Sequence, residues 1–73
     1  MDKNLILTKI AENIRITRLK RHYTQEQLAE KANITQKYLN LIEKKKANPS
    51  ILIVVSICDA LDIDLNSLLI DIV

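Results

Sequence analysis

The sequence predicts an all-α fold of five short helices. Three observations carry this: apolar residues recur at three- and four-residue spacing, side-chain caps open successive segments, and no stretch alternates as a strand does. A length of 73 residues, 48% hydrophobic and 27% charged, gives one globular domain over residues 1–73. So short a chain buries little of its surface and relies on tight packing or a partner. Its single cysteine, Cys58, rules out an internal disulfide and a cysteine-based metal cluster, and the single histidine, His22, argues against zinc. Cys58 therefore reads as an inert buried thiol, and no cofactor is expected.

The first helix runs from about Leu5 to Lys20, with Ile6 or Leu7, Ile10, Ala11, Ile14 and Thr17 or Arg18 at helical spacing. The chain leaves this helix at His22. Thr24-Gln25-Glu26-Gln27 then forms a capping box, flanked by Tyr23 and Leu28 at hydrophobic-staple positions. It opens a second helix over about residues 25–32, with Leu28, Ala29 and Ala32 facing inward. Asn33 ends it, since asparagine tolerates a left-handed backbone better than most residues.

Thr35 caps a third helix that runs to about Lys44, with Leu39 and Ile42 inward and Ile34 and Leu39 as a staple. Only Asn33-Ile34-Thr35 separates the second and third helices. Two short helices joined this tightly, with the small Ala29 allowing close approach, form a helix-turn-helix.

Lys44-Lys45-Lys46-Ala47-Asn48-Pro49 is a basic loop that Pro49 keeps out of a helix interior. Ser50 caps a fourth helix, Ile51 to Leu61, whose buried stripe is expected from Ile51, Val54, Val55, Cys58 and Leu61. Asp64 caps a fifth, Leu65 to about Asp71, with Ile63 and Leu68 as a staple. The sequence has no glycine. His22, Asn33, Lys45 and Asp62 therefore stand at helix ends where glycine would carry less strain.

Charge is divided along the chain. Residues 1–46 hold all 11 lysines and arginines against five acids, a balance of +6, while residues 47–73 hold four aspartates and no base. A basic front and an acidic rear suit a nucleic-acid surface backed by a non-binding half, although solvated helix faces are also often basic. No stretch reaches the roughly 18 apolar residues of a membrane span, and the opening segment has too short an apolar core for a signal peptide. A cytoplasmic location is expected.

The run from Thr24 through Lys44, with Asn48-Pro49-Ser50 after it, resembles the lambda-repressor-like family of bacterial and phage regulators, which includes Cro and the xenobiotic-response-element type. The likeness covers about residues 8–69. It implies a compact five-helix domain whose second helix lies across the DNA backbone. The third helix would enter the major groove of a pseudo-palindromic operator bound by a homodimer. It further implies that Gln25 holds a phosphate, that the exposed residues of the third helix read bases, and that Arg18 and Glu43 form a structural salt bridge.

The chemistry of the residues agrees. Gln36 and Asn40 lie four apart on one face, and each amide both donates and accepts, as the edge of an adenine requires. Lys37 reaches either guanine or a phosphate, and Leu41 either touches a thymine methyl or turns toward the protein. Candidate phosphate contacts are Gln25, Thr35, Tyr38, Lys44, Lys45 and Lys46, with Tyr38 equally suited to packing beside the turn. Arg15, Lys20 and Arg21 near the end of the first helix add positive charge. Departures from the family pattern are Leu41, where a polar or basic residue is usual, Thr17 in place of a large apolar residue, and the apolar Ile16 and Leu19.

Leu52 and Ile53 exceed what one buried stripe of the fourth helix needs. With Leu65, Leu69, Ile70, Ile72 and Val73 they would form an apolar rear surface suited to a two-fold dimer through helices four and five, about 51–71. Such a dimer would set two recognition helices roughly one DNA turn, about 34 Å, apart. The bland alternative is that the last residues fold back on their own core or fray.

An enzyme is not expected, because the sequence offers no facing carboxylates, no phosphate-binding glycine loop and no nucleophile paired with a base. Expected partners are an operator in double-stranded DNA and a second copy of the chain, with no membrane and no small-molecule ligand. The form resembles controller proteins of restriction-modification systems first, and also Cro-type phage repressors and stand-alone chromosomal repressors. The competing reading is a protein-interaction module without specific DNA binding.

Overall fold

The computed structural model describes residues 3–69. They form α1 (Lys3–Lys20), α2 (Gln25–Ala32), α3 (Gln36–Glu43), α4 (Ile51–Leu61) and α5 (Leu65–Leu69), with no strand among the described residues. Each helix after the first starts on a side-chain cap. The Thr24 hydroxyl oxygen accepts the Gln27 amide at 3.0 Å, while the Gln27 side chain accepts the Thr24 amide at 2.9 Å, closing the capping box. Thr35, Ser50 and Asp64 accept the amides of Tyr38, Ile53 and Ser67. Each cap satisfies a backbone donor that the first turn of a helix leaves orphaned.

His22, Asn33, Lys45 and Asp62 all have φ between 60° and 64°, in the left-handed region expected for them. That backbone lets the chain turn back on itself. The amides of Tyr23, Ile34, Lys46 and Ile63, one residue further on, donate to carbonyls of the preceding helix at 2.8–3.0 Å.

One core joins the helices. Ile14 of α1, Leu28, Ala29 and Ala32 of α2, Leu39 and Ile42 of α3, Val54, Ile57, Cys58 and Leu61 of α4, and Leu68 of α5 are buried together. Burying an aliphatic side chain of this size stabilises by roughly 1.5–3 kcal/mol. Small residues set the spacing, as Ala29 and Ala32 let α2 lie close to its neighbours. The Ser56 hydroxyl donates to the Ala32 carbonyl at 2.7 Å, tying α4 to the C-terminus of α2. Asn13 donates to the Leu68 carbonyl and ties α1 to α5.

The buried stripe of α4 differs from the expected one. Ile57 fills it alongside Val54, Cys58 and Leu61, whereas Ile51 and Val55 are exposed. At about 100° per residue, Val54, Ile57, Cys58 and Leu61 share one face, and Val55 is turned more than a quarter of the circumference from its centre. Ile51 is the first residue of the helix, beyond the reach of the core. Ile53, expected on the rear surface, is half-buried against the core, and Leu65 is too. The described part of α5 ends at Leu69, and Ile70, Asp71, Ile72 and Val73 lie outside the described residues. No helix among the described residues is long and apolar enough to cross a membrane.

Candidate nucleic-acid interface

Thr35 positions the start of α3. Its backbone is extended and its hydroxyl oxygen accepts the Tyr38 amide, so the helix begins at Gln36. Gln36 and Lys37 are exposed there. Leu39 and Ile42 anchor the opposite face in the core. Tyr38 and Leu41 are half-buried at the margins, and Tyr38 packs against the core, in line with the packing alternative for that residue.

Behind this surface runs a chain of hydrogen bonds linking three helices. Arg18 on α1 grips Glu43 at the end of α3 with two parallel contacts, Nε to Oε2 at 2.8 Å and Nη2 to Oε1 at 3.1 Å. Its third nitrogen, Nη1, donates to the Tyr23 carbonyl at 2.9 Å and holds the turn before α2. Gln25, the first residue of α2, donates from Nε2 to Glu43 Oε1 at 3.1 Å. Asn40 on α3 donates from Nδ2 to Gln25 Oε1 at 3.2 Å. The expected salt bridge is therefore present, as the scaffold on which Gln25 and Asn40 are mounted. These last two contacts join residues 15 and 18 positions apart and carry no local sequence signal.

At the other end of α3 stands a run of cations. Lys44 caps the helix, Lys45 takes the left-handed turn and Lys46 follows, all three exposed. They also complement the partial negative charge at a helix C-terminus, which gives them a structural role whatever they bind. Gln36, Lys37 and the lysine run are thus exposed on α3 and just beyond its end, and Gln25 is tied to the same helix through Asn40 and Glu43. Arg15 and Lys20 are exposed, while Arg21 Nη2 reaches the Asp62 carbonyl at 3.4 Å. Beside Arg21 a solvent-open cleft is lined by Tyr23, Lys31, Asp59 and Asp62, and Lys31 is engaged there, 5.5 Å from the centre of the Tyr23 ring.

Among the described residues, no group of three or more histidine, cysteine or acidic side chains could hold a metal. Cys58 is buried, and desolvation, with a smaller contribution from the nearby Asp64 charge, pushes its thiol above the usual range. A thiol of that kind is a poor nucleophile.

Residues 14–68, which run from the second half of α1 into α5, match the helix-turn-helix family. The chain belongs to that family. Among its relatives, the immunity repressor protein of Bacillus phage phi105 is 37% identical over 59 residues, covering 81% of this chain and 41% of the repressor. The chain thus spans about two-fifths of that relative's length. Solved helix-turn-helix structures superpose closely. The clp gene regulator ClgR from Corynebacterium glutamicum gives a TM-score of 0.85 at 25% identity, over 89% of this chain and 69% of its own. The restriction-modification controller protein C.AhdI from Aeromonas hydrophila gives 0.82 at 27% identity, over 85% of this chain and 94% of its own. The five-helix, lambda-repressor-like fold expected from the sequence is the fold of these helix-turn-helix regulators, and transcription regulation is the family's business.

Proposed function

We propose that this chain is a sequence-specific double-stranded DNA-binding transcriptional regulator that acts in the cytoplasm. It binds a pseudo-palindromic operator as a homodimer with α3 in the major groove. The observation that carries this reading is the exposure of Gln36 and Lys37 at the start of α3, with Gln25 bonded to Asn40 of the same helix and the exposed Lys44–Lys46 run at its end. In it, Gln36 and Lys37 read base edges, Leu41 meets the groove at the edge of that face, and Gln25, Thr35, Lys44, Lys45 and Lys46 hold phosphates.

The dimer reading rests on the outer face of α4 and α5. Leu52 is 77% exposed and Ile51 62%, with Val55 and Leu69 also exposed, an apolar surface on the acidic half of the chain. Ile51 and Val55 thereby join Leu52 and Leu69 as interface residues, and Ile53 and Leu65 supply only the edges of half-buried side chains. A two-fold contact through this face leaves the basic half free for DNA.

Restriction-modification genes are the first target to test, because C.AhdI, a controller of such a system, aligns over 94% of its own chain. Repression as in a phage immunity repressor is the second, supported by the phi105 likeness. The test is selection of bound duplexes from a random DNA pool at about 0.15 M salt, a salt at which non-specific binding is weak, repeated with Gln36→Ala. The expected result is an enriched inverted repeat whose half-site preference weakens in the variant. Failure of the folded protein to enrich any sequence would instead identify a protein-interaction module.

A further inference from the structure

We infer that Asn40 serves DNA binding as a positioning residue that fixes the side chain of Gln25, and that base reading by α3 is left to the first turn, at Gln36 and Lys37. This rests on the operator-binding reading above and assigns a different task to one of the residues on the α3 face.

The argument starts at the far end of the hydrogen-bond chain. Arg18 holds both carboxylate oxygens of Glu43, at 2.8 and 3.1 Å. A carboxylate paired in this way only accepts, so the group that Gln25 presents to it must be the amide nitrogen. The Gln25 Nε2 contact to Glu43 at 3.1 Å meets that requirement. Its carbonyl oxygen is then turned to the opposite side, where only a donor can satisfy it. Asn40 Nδ2 supplies that donor at 3.2 Å. Polarity is thus handed on from a guanidinium on α1 through two helices to Asn40, and neither amide is free to flip.

Two consequences follow for the DNA surface. Gln25 is clamped at both ends of its amide, leaving the second hydrogen of Nε2 as its outward donor, the atom a phosphate oxygen would accept from. Asn40 has a donor committed inside the protein and is half-buried, whereas Gln36 and Lys37 are exposed with no such tie. Asn40 sits one helical turn beyond Gln36, where it meets the start of α2. A side chain held there contributes by keeping Gln25 ordered before DNA arrives, an effect on affinity that is indifferent to the base sequence.

The test is a double-mutant cycle on the selected operator, using Asn40→Ala, Gln25→Ala and the pair, with a panel of single-base operator variants. Alanine is a strong helix former, so Asn40→Ala should keep α3 intact, and thermal melts of each variant report the fold directly. Losing one ordering hydrogen bond should weaken binding about five-fold, by the same factor on every operator in the panel. In the Gln25→Ala background the same change should matter less than about two-fold, because there is nothing left to orient. Asn40→Ala that shifts the preferred base at one half-site position, or that adds fully to Gln25→Ala, would overturn the inference while leaving the operator reading intact. A wild-type chain that selects no sequence would overturn both.

Discussion

Arg18 and Glu43 stand 25 residues apart and meet in a bidentate ion pair whose side chains are only 11% and 4% exposed. The pair joins α1 to the end of α3, and Gln25 bonds to the same carboxylate. Removing Arg18 would strand Glu43 with one neutral donor in a nearly dry site. Arg18→Ala is therefore expected to destabilise by about 3 kcal/mol and to lower Tm by more than about 10 °C. An Arg18→Met, Glu43→Leu double variant should cost less than either single change, since no unpaired charge remains. Thermal melts of the set decide it, and a double variant as unstable as Arg18→Ala would show that the pair is net stabilising beyond its desolvation.

Lys45 and Lys46 are exposed beyond the end of α3, and on the proposed DNA reading each neutralises a phosphate. Lys45→Ala and Lys46→Ala should each reduce the slope of log K against log salt by about 0.9, without altering the preferred sequence. Titrations at several salt concentrations would show it. An unchanged slope would leave these lysines with only their role at the helix C-terminus.

Leu52 is the most exposed large apolar residue of the described chain. If the α4–α5 face pairs two copies, Leu52→Glu places two like charges against an apolar contact and separates them. Sedimentation at tens of micromolar should then move from twice the 8.4 kDa chain mass to the chain mass. A wild-type chain already at monomer mass would sink the dimer.

Asp64 caps α5 by accepting the Ser67 amide at 2.7 Å. That backbone N–H, followed by the Ser67 hydroxyl, holds its carboxyl below the usual range. A carboxyl lowered on folding stabilises the fold above its unfolded value, about pH 3.9, and loses that contribution as the pH falls through the folded value. Acid unfolding followed by circular dichroism should therefore be shallower below about pH 4 in Asp64→Asn, which keeps a cap without a titrating group. Asp64→Ala should be less stable than wild type at pH 7, and the difference should shrink in acid. An identical acid limb in all three would remove Asp64 as a contributor.

What the sequence determined by itself was whatever depends on residues three or four positions apart. The capping box of Thr24 and Gln27, the caps at Thr35, Ser50 and Asp64, and the left-handed ends at His22, Asn33, Lys45 and Asp62 are local, since each is a contact within one turn of helix. The family pattern carried the Arg18–Glu43 pair, which no local rule supplies. Tertiary structure decided which face of α4 is buried. The segment Ile51-Leu52-Ile53-Val54-Val55 is apolar on every side, so its periodicity cannot choose a face, and the helices packed on it bury Val54 and Ile57 while exposing Ile51 and Val55. It also decided what Gln25 and Asn40 do with their amides. A glutamine or asparagine offers donors and acceptors to water, to a base edge or to a neighbour alike, and only the meeting of three helices around one carboxylate fixes which.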